Sequence, residues 1–172
     1  MKQKFATVFG GSEYEQSTIE YQDGIRLGHF LAKKGYIVKC GGYYGLMEAV
    51  SKGVKDVDGK CIGVTNGSFD PKPSNKYISE EIKSRDTFDR LRELIKESEL
   101  FVVQKGSLGT LEELSTVWCL AYTKTIKNVR ICLIGECWNE TLRGLKLLPI
   151  KSKEFNYLIV YSTMDEFLAT LE

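Results

Sequence analysis

The chain has a single histidine, His29, and three prolines in 172 residues, and its five cysteines (Cys40, Cys61, Cys119, Cys132 and Cys137) stand at no short paired spacing. Zinc sites read as C-x-x-C pairs or Cys/His clusters, so the sequence offers no metal site. Without an available histidine, Ser12 and Ser107 lack the usual general base of a nucleophilic hydroxyl. They read as turn residues or as hydroxyl donors to a ligand. An odd number of thiols, mostly in apolar runs, fits free cysteines packing as small hydrophobes in a reducing, cytoplasmic compartment. Charge of one sign is also lacking: 24 Lys and Arg face 23 Asp and Glu, a formal net of +1. That balance gives no electrostatic case for nucleic acid or an anionic membrane. No apolar run approaches the ~20 residues of a membrane span. The opening Met1-Lys2-Gln3-Lys4-Phe5 lacks the apolar core of a signal peptide. A P-loop, G-x-x-x-x-G-K-[ST], is missing as well, which leaves a P-loop ATPase unsupported.

The apolar and glycine content, by contrast, is organised. A hydrophobic fraction of 42% over residues 1–172 is enough for one domain with a real core. Strand-like runs at Phe5–Phe9, Tyr36–Cys40, Cys61–Thr65, Leu100–Val103, Val129–Ile134 and Tyr157–Tyr161 alternate with helical periods. The helices are expected from Ser17 to about Lys34, Leu46 to Lys55, Asp86 to Ser98, Thr110 to Tyr122, Trp138 to Leu147 and Thr163 to Leu171. Ser17-x-x-Glu20 has the form of a capping box, and Asn66 to Lys76, with Pro71, reads as one exposed loop. Short connections and near-continuous apolar strands predict an α/β chain: a Rossmann-like, doubly wound parallel sheet in a single domain.

Three glycine turns follow strands: Gly10-Gly11-Ser12, Gly41-Gly42-Tyr43-Tyr44-Gly45 and Gly106-Ser107-Leu108-Gly109. In a doubly wound sheet they share the C-terminal edge, where ligands bind. The third turn leads into a helix expected to start at Thr110. Free amides at such a start hold phosphate, and glycines let a backbone approach it closely. Thr110-x-x-Glu113 is equally a capping box, in which the side chains only satisfy helix-end amides. His29, within a helix, reads as packing or surface, and Cys40 as a buried strand thiol. The residues able to do chemistry are Arg90 and Glu113. A carboxylate can stabilise an oxocarbenium-like ribose or orient water, and an arginine can hold a phosphate bidentately. Glu112 is turned about 100° away round the helix, and Asp89 and Arg92 read as a solvated helix face.

Gly106-Ser107-Leu108-Gly109-Thr110-Leu111-Glu112-Glu113 resembles the P-G-G-x-G-T-x-x-E signature of the LOG ("lonely guy") family, often labelled "possible lysine decarboxylase". Gly41 to Met47 resembles its G-G-G-x-x-G-L-M turn, Phe9-Gly10-Gly11-Ser12 its F-x-G-S turn, and Arg90 the arginine of its R-K pair. The likeness runs from about Phe5 to Ile134 in order. It implies hydrolysis of a nucleoside 5′-monophosphate to free base and ribose 5-phosphate, with no metal or organic cofactor, in a homodimer or larger homo-oligomer. It implies catalytic roles for Arg90 and Glu113. Gly11, Ser12, Gly41, Gly42, Gly45, Met47, Gly106, Ser107, Gly109 and Thr110 would bind the nucleotide, with Gly106, Gly109 and Thr110 cradling its phosphate. The chain departs from the pattern at Lys105 (proline in the signature), Ser107 (glycine) and Leu91 (lysine of the R-K pair). A non-catalytic nucleotide-signal module and a molybdenum-cofactor carrier on the same fold are therefore the alternatives.

Overall fold

The computed structural model describes residues 3–67 and 72–170. Its strands are β1 (Lys4–Phe9), β2 (Tyr36–Cys40), β3 (Cys61–Asn66), β4 (Glu80–Ser84), β5 (Ser98–Val103), β6 (Arg130–Ile134) and β7 (Leu158–Tyr161). Its helices are α1 (Ile19–Lys33), α2 (Leu46–Lys55), α3 (Thr87–Ile95), α4 (Leu108–Tyr122), α5 (Cys137–Leu145), α6 (Ser152–Phe155) and α7 (Met164–Ala169). The strands form one seven-stranded sheet in the order β4-β3-β2-β1-β5-β6-β7, and every pairing is parallel. The expected Rossmann-like α/β architecture is therefore what the chain adopts.

Period-2 alternation divides the strand side chains between two cores. Ala6 and Val8 of β1, Leu100 and Val102 of β5, and Cys132 and Ile134 of β6 pack with Leu27 and Leu31 of α1, Val50 and Val54 of α2, and Phe167 of α7. Their neighbours Phe9, Phe101, Val103, Ile131 and Leu133 face the other way, onto Leu91 and Leu94 of α3 and Leu114 and Val117 of α4. Strands apolar on both faces are what a sheet covered on both sides requires.

Several expectations need correction. β4 is a strand that the sequence does not announce, because Glu80-Glu81-Ile82-Lys83-Ser84 carries the charges of a sheet edge and no apolar run. Helix α3 ends at Ile95 rather than Ser98, and Phe88, expected on its buried face, is 78% exposed. Helix α1 is capped by Thr18, whose hydroxyl accepts from Tyr21 N, instead of by Ser17. Asn66 and Asn75, assigned to an exposed loop, are buried. Pro71 and the expected helix end at Leu171 lie outside the described residues.

The far end of α3 is tied to the sheet by polar contacts. Lys39 of β2 is buried, and its Nζ donates to the carbonyls of Glu93 at 3.0 Å and Lys96 at 2.6 Å. Thr7 of β1 donates to Leu94 O at 2.6 Å. A cation on carbonyls at a helix C-terminus is favourably placed, and this anchor fixes the helix that presents Arg90.

Candidate functional site

The sheet order reverses between β1 and β5: one leads into a helix on the first face, the other into a helix on the second. That junction opens the crevice in which doubly wound folds bind ligands. The first and third glycine turns meet there. Gly11 N donates to Lys105 O, and Gln104 N to Phe9 O, both at 2.9 Å. The second turn joins them through Leu46 N and Gly11 O, also at 2.9 Å. Two glycines make this contact possible. Gly45 has φ +65°, and a Cβ there would stand 2.5 Å from the Ser12 carbonyl carbon. A Cβ on Gly106 would stand 2.0 Å from Thr110 Oγ1. The three turns are thus one backbone-packed unit, with Ser12 exposed at its rim.

Arg90 and Glu113 meet beside that unit. Arg90 Nη1 donates to Glu113 Oε1 at 3.1 Å, and Arg90 Nε donates to Val64 O at 2.9 Å. The guanidinium lies against Gly41, where a Cβ would be 2.3 Å from Arg90 Nη2 and 2.5 Å from Met47 Sδ. Glu113 is buried, and burial lifts its carboxyl to about 7, against the opposing pull of the Arg90 charge. Glu112 points outward, exposed, as expected. Asp89 is held by Arg85 and Arg92 at 3.0 and 3.2 Å, an ion-paired surface rather than a site.

The helix after the third turn begins at Leu108, two residues earlier than expected, with Ser107 as a cap whose side chain makes no capping hydrogen bond. Thr110 lies within the first turn, buried under Gly106, so Thr110 and Glu113 do not form a capping box. The capping explanation for the motif fails on this geometry. What remains is a helix start with no side-chain cap, reached over exposed Gly106, Ser107 and Gly109; a Cβ on Gly109 would meet nothing within 4 Å. First-turn amides without partners at the positive end of a helix favour an anion.

The departures from the LOG signature are also placed. Lys105 turns away from this helix start and pairs with Glu20 at 2.7 Å. Leu91 is core, 7% exposed and packed in the cluster that α3 and α4 share. His29 lies 3.6 Å from Asp56 on the far surface of α1, and Cys40 is a fully buried thiol. Among the described residues no group of three or more His, Cys, Asp and Glu side chains could hold a metal.

Sequence reasoning missed the support beneath the second turn. Asn75 Nδ2 donates to Gly42 O at 3.2 Å, Tyr43 O at 2.8 Å and Ser51 Oγ at 3.3 Å, while its own N–H donates to Gly42 O at 2.8 Å. Tyr43 reciprocates on the adjoining strand: its hydroxyl donates to Asn66 O and accepts from Asn66 N. A lone asparagine among loop residues carried no signal that distinguished it.

A parallel sheet with glycine turns at its switch point, an uncapped helix start and a buried Arg–Glu pair defines a Rossmann-like α/β protein with a candidate site at the C-terminal sheet edge. The chain belongs to the SLOG cluster4 family, whose model matches residues 3–146. It is 33% identical over 112 residues to a probable cytokinin riboside 5′-monophosphate phosphoribohydrolase, LOGL2, of Oryza sativa subsp. japonica, covering 64% of this chain and 46% of that protein. The chain spans about half the length of the curated plant relatives it matches. Its fold is similar to that of the molybdenum cofactor binding protein of Rippkaea orientalis (TM-score 0.76, 20% identity, 99% of this chain and 96% of that one). It is also similar to the molybdenum cofactor carrier protein of Chlamydomonas reinhardtii (TM-score 0.70, 18% identity, 99% and 96%). The LOG-type resemblance is borne out, and no helix among the described residues is long and apolar enough to cross a membrane.

Proposed function

We propose that the protein hydrolyses the N-glycosidic bond of a nucleoside 5′-monophosphate, AMP or an N6-modified AMP, to free base and ribose 5-phosphate. The observation that carries this reading is the buried contact of Glu113 with Arg90, beside a helix start without a side-chain cap. The phosphate would lie on the amides of the Gly106–Thr110 segment, with the ribose toward Arg90. As the bond from C1′ to the base nitrogen breaks, positive charge grows on the ribose and negative charge on the base. Ionised Glu113 stabilises the former and orients a water onto C1′; the water oxygen bonds to C1′ and its proton ends on the base. Arg90 holds Glu113 in place and is within the region where a phosphate or ribose hydroxyl would bind. The plant relatives' names supply independent support for the reaction class.

A second reading, a non-catalytic module for a nucleotide or pterin-type cofactor, is favoured by Leu91, which puts a core side chain where the signature has lysine. One experiment separates the two. Purified protein is incubated with AMP and the mixture chromatographed for adenine and ribose 5-phosphate, with Glu113→Gln as control. Adenine from wild type and none from the variant is the expected result. Saturable AMP binding with no base release would overturn hydrolysis in favour of the second reading.

A further inference from the structure

The whole-chain net of +1 conceals an uneven distribution of charge. Helices of a parallel sheet run back against the strands, so α4 and α5 end at the N-terminal edge, opposite the glycine turns, Arg90 and Glu113. There the segment Arg143-Gly144-Leu145-Lys146-Leu147-Leu148-Pro149-Ile150-Lys151-Ser152-Lys153 joins α5 to α6 and holds four cations and no acid. The carboxylates nearest in sequence stand outside it: Glu140, which pairs with Arg143 at 2.7 Å, and Glu154. Lys146, Lys151 and Lys153 are exposed and in no ion pair among the described residues, whereas Lys52, Lys60, Lys96 and Lys105 are each paired.

The same segment exposes its apolar residues. Leu147 is 89% and Leu148 53% exposed, within the continuous exposed run from Lys146 to Pro149. The backbone beneath them is ordered: Leu147 N donates to Gly144 O at 3.1 Å and Leu148 N to Leu145 O at 3.0 Å. Helix α6 anchors the other end. Trp118 Nε1 of α4 donates to Glu154 O at 2.7 Å, its ring is 5.1 Å from Phe155, and Lys146 Nζ is 5.8 Å from the Phe155 ring. Tyr157, just beyond α6, shares a cleft with Lys124 and Lys127 at the end of α4, both exposed and likewise in no ion pair among the described residues. A single exposed leucine is ordinary. Two adjacent ones, among five unpaired lysines, ask for a partner that is anionic at its surface and apolar just below it.

We infer that this edge docks on an anionic lipid surface. Leu147 and Leu148 enter the boundary between headgroups and acyl chains, and the five lysines face the headgroup anions. Nucleic acid would answer the cations but leave the leucines in water. Screening confines each charge to about 8 Å at physiological ionic strength, so the acidic residues of the opposite edge do not cancel the attraction. Docking of this kind lies in the interface and needs no spanning helix. It leaves the crevice of Arg90 and Glu113 facing water.

Co-sedimentation of the full chain with phosphatidylcholine vesicles containing about one-third phosphatidylserine tests this, against vesicles of phosphatidylcholine alone. The expected result is binding to the anionic vesicles only, reversed by high salt. It should weaken about fivefold or more in Leu147→Ser/Leu148→Ser and in Lys151→Glu/Lys153→Glu. All four side chains are exposed, so both variants should melt where wild type does, and that is checked first. No binding to anionic vesicles overturns the proposal. Binding that the leucine variant leaves unchanged overturns it too, by reducing the surface to a polyanion site that single-stranded DNA would also fill. A solution dimer that the leucine variant splits would assign the patch to a second copy of the chain, and equally overturn it. Base release from AMP is measured without lipid, so failure of either reading leaves the other standing.

Discussion

Arg90 Nη1 stands 3.1 Å from Glu113 Oε1, with the two side chains 17% and 10% exposed, so residues 23 apart in sequence share one proton-bearing, largely desolvated contact. The contact bridges the helix that precedes β5 and the helix that follows it. It sets the charge state of the one buried carboxylate at the crevice, and a stability consequence follows.

Glu113 titrates at about 7 in the folded chain, up from an ordinary value of 4.5. A raised carboxyl means the folded state binds the proton more tightly, so its contribution is complete below pH 4.5 and is lost as pH rises through 7. Above that, the folded protein carries an ion that burial disfavours. Glu113→Gln, which still accepts from Arg90, is expected to melt higher than wild type at pH 8, by at most about 3 kcal/mol. The difference should vanish near pH 4.5. Melting curves at both pH values check it; a variant less stable than wild type at pH 8 would contradict the assignment.

Gly106 and Gly109 separate what the fold requires from what a ligand requires. A Cβ on Gly106 would collide with Thr110 Oγ1 at 2.0 Å and press on Gly11 N at 3.0 Å, whereas one on Gly109 meets nothing within 4 Å. Gly106→Ala is expected to destabilise by about 1–3 kcal/mol, as overpacking does. Gly109→Ala lies in a helix and is expected to stabilise by up to about 1 kcal/mol. If phosphate sits on this helix start, Gly109→Ala should nonetheless weaken AMP binding several-fold, measured by calorimetry on a protein whose melting temperature has not fallen.

Much of this was legible in the chain because apolar runs and glycine turns report directly on buried strands and tight backbone. Phe5–Phe9 and Leu100–Val103 announced the two central strands, and the turns after them fell at the switch point. The edge strand Glu80–Ser84 was not legible, since an edge needs one modestly apolar face and protects itself with charge. The start of α4 was misplaced because Thr110 and Glu113 mimic a capping box; nothing local says that Leu108, 80% exposed, is already helical. Arg90 and Glu113 were named from their chemistry, but their direct contact depends on how α3 and α4 pack over β3 and β5. The Asn75 clamp depends on a loop returning to a turn 33 residues earlier.

That clamp has a measurable cost when removed. Asn75→Ala removes the amide's donations to the Gly42 and Tyr43 carbonyls and to the Ser51 hydroxyl, and the Oδ1 to which Tyr77 N donates at 3.0 Å. At about 1–3 kcal/mol for each unmet buried group, with relaxation recovering part, a loss on the order of 3 kcal/mol is expected. Asn75→Asp should fare no better, because an ionised carboxylate cannot donate to those acceptors. Urea midpoints for both variants decide it: a shift corresponding to less than about 1 kcal/mol in each would show that the turn holds its shape without the clamp.

Lys39 gives a titration of opposite sense. Burial pushes its ammonium down to about 8 from 10.5, although its Nζ donates to the Glu93 and Lys96 carbonyls. A depressed folded pKa means that the unfolded chain binds the proton more tightly between pH 8 and 10.5, so unfolding takes up protons there. The stabilising contribution of this group is therefore present above 10.5 and is lost as pH falls through 8. Lys39→Met abolishes the titration, so the stability of wild type relative to that variant should grow from pH 7 to pH 10, by on the order of 2–3 kcal/mol. Other groups titrate in this range, but they are common to both proteins and cancel in the difference. Denaturant unfolding of the pair at the two pH values is the check. A constant difference would mean that Lys39 keeps its ordinary proton affinity, and that the end of α3 is held by a fully charged cap.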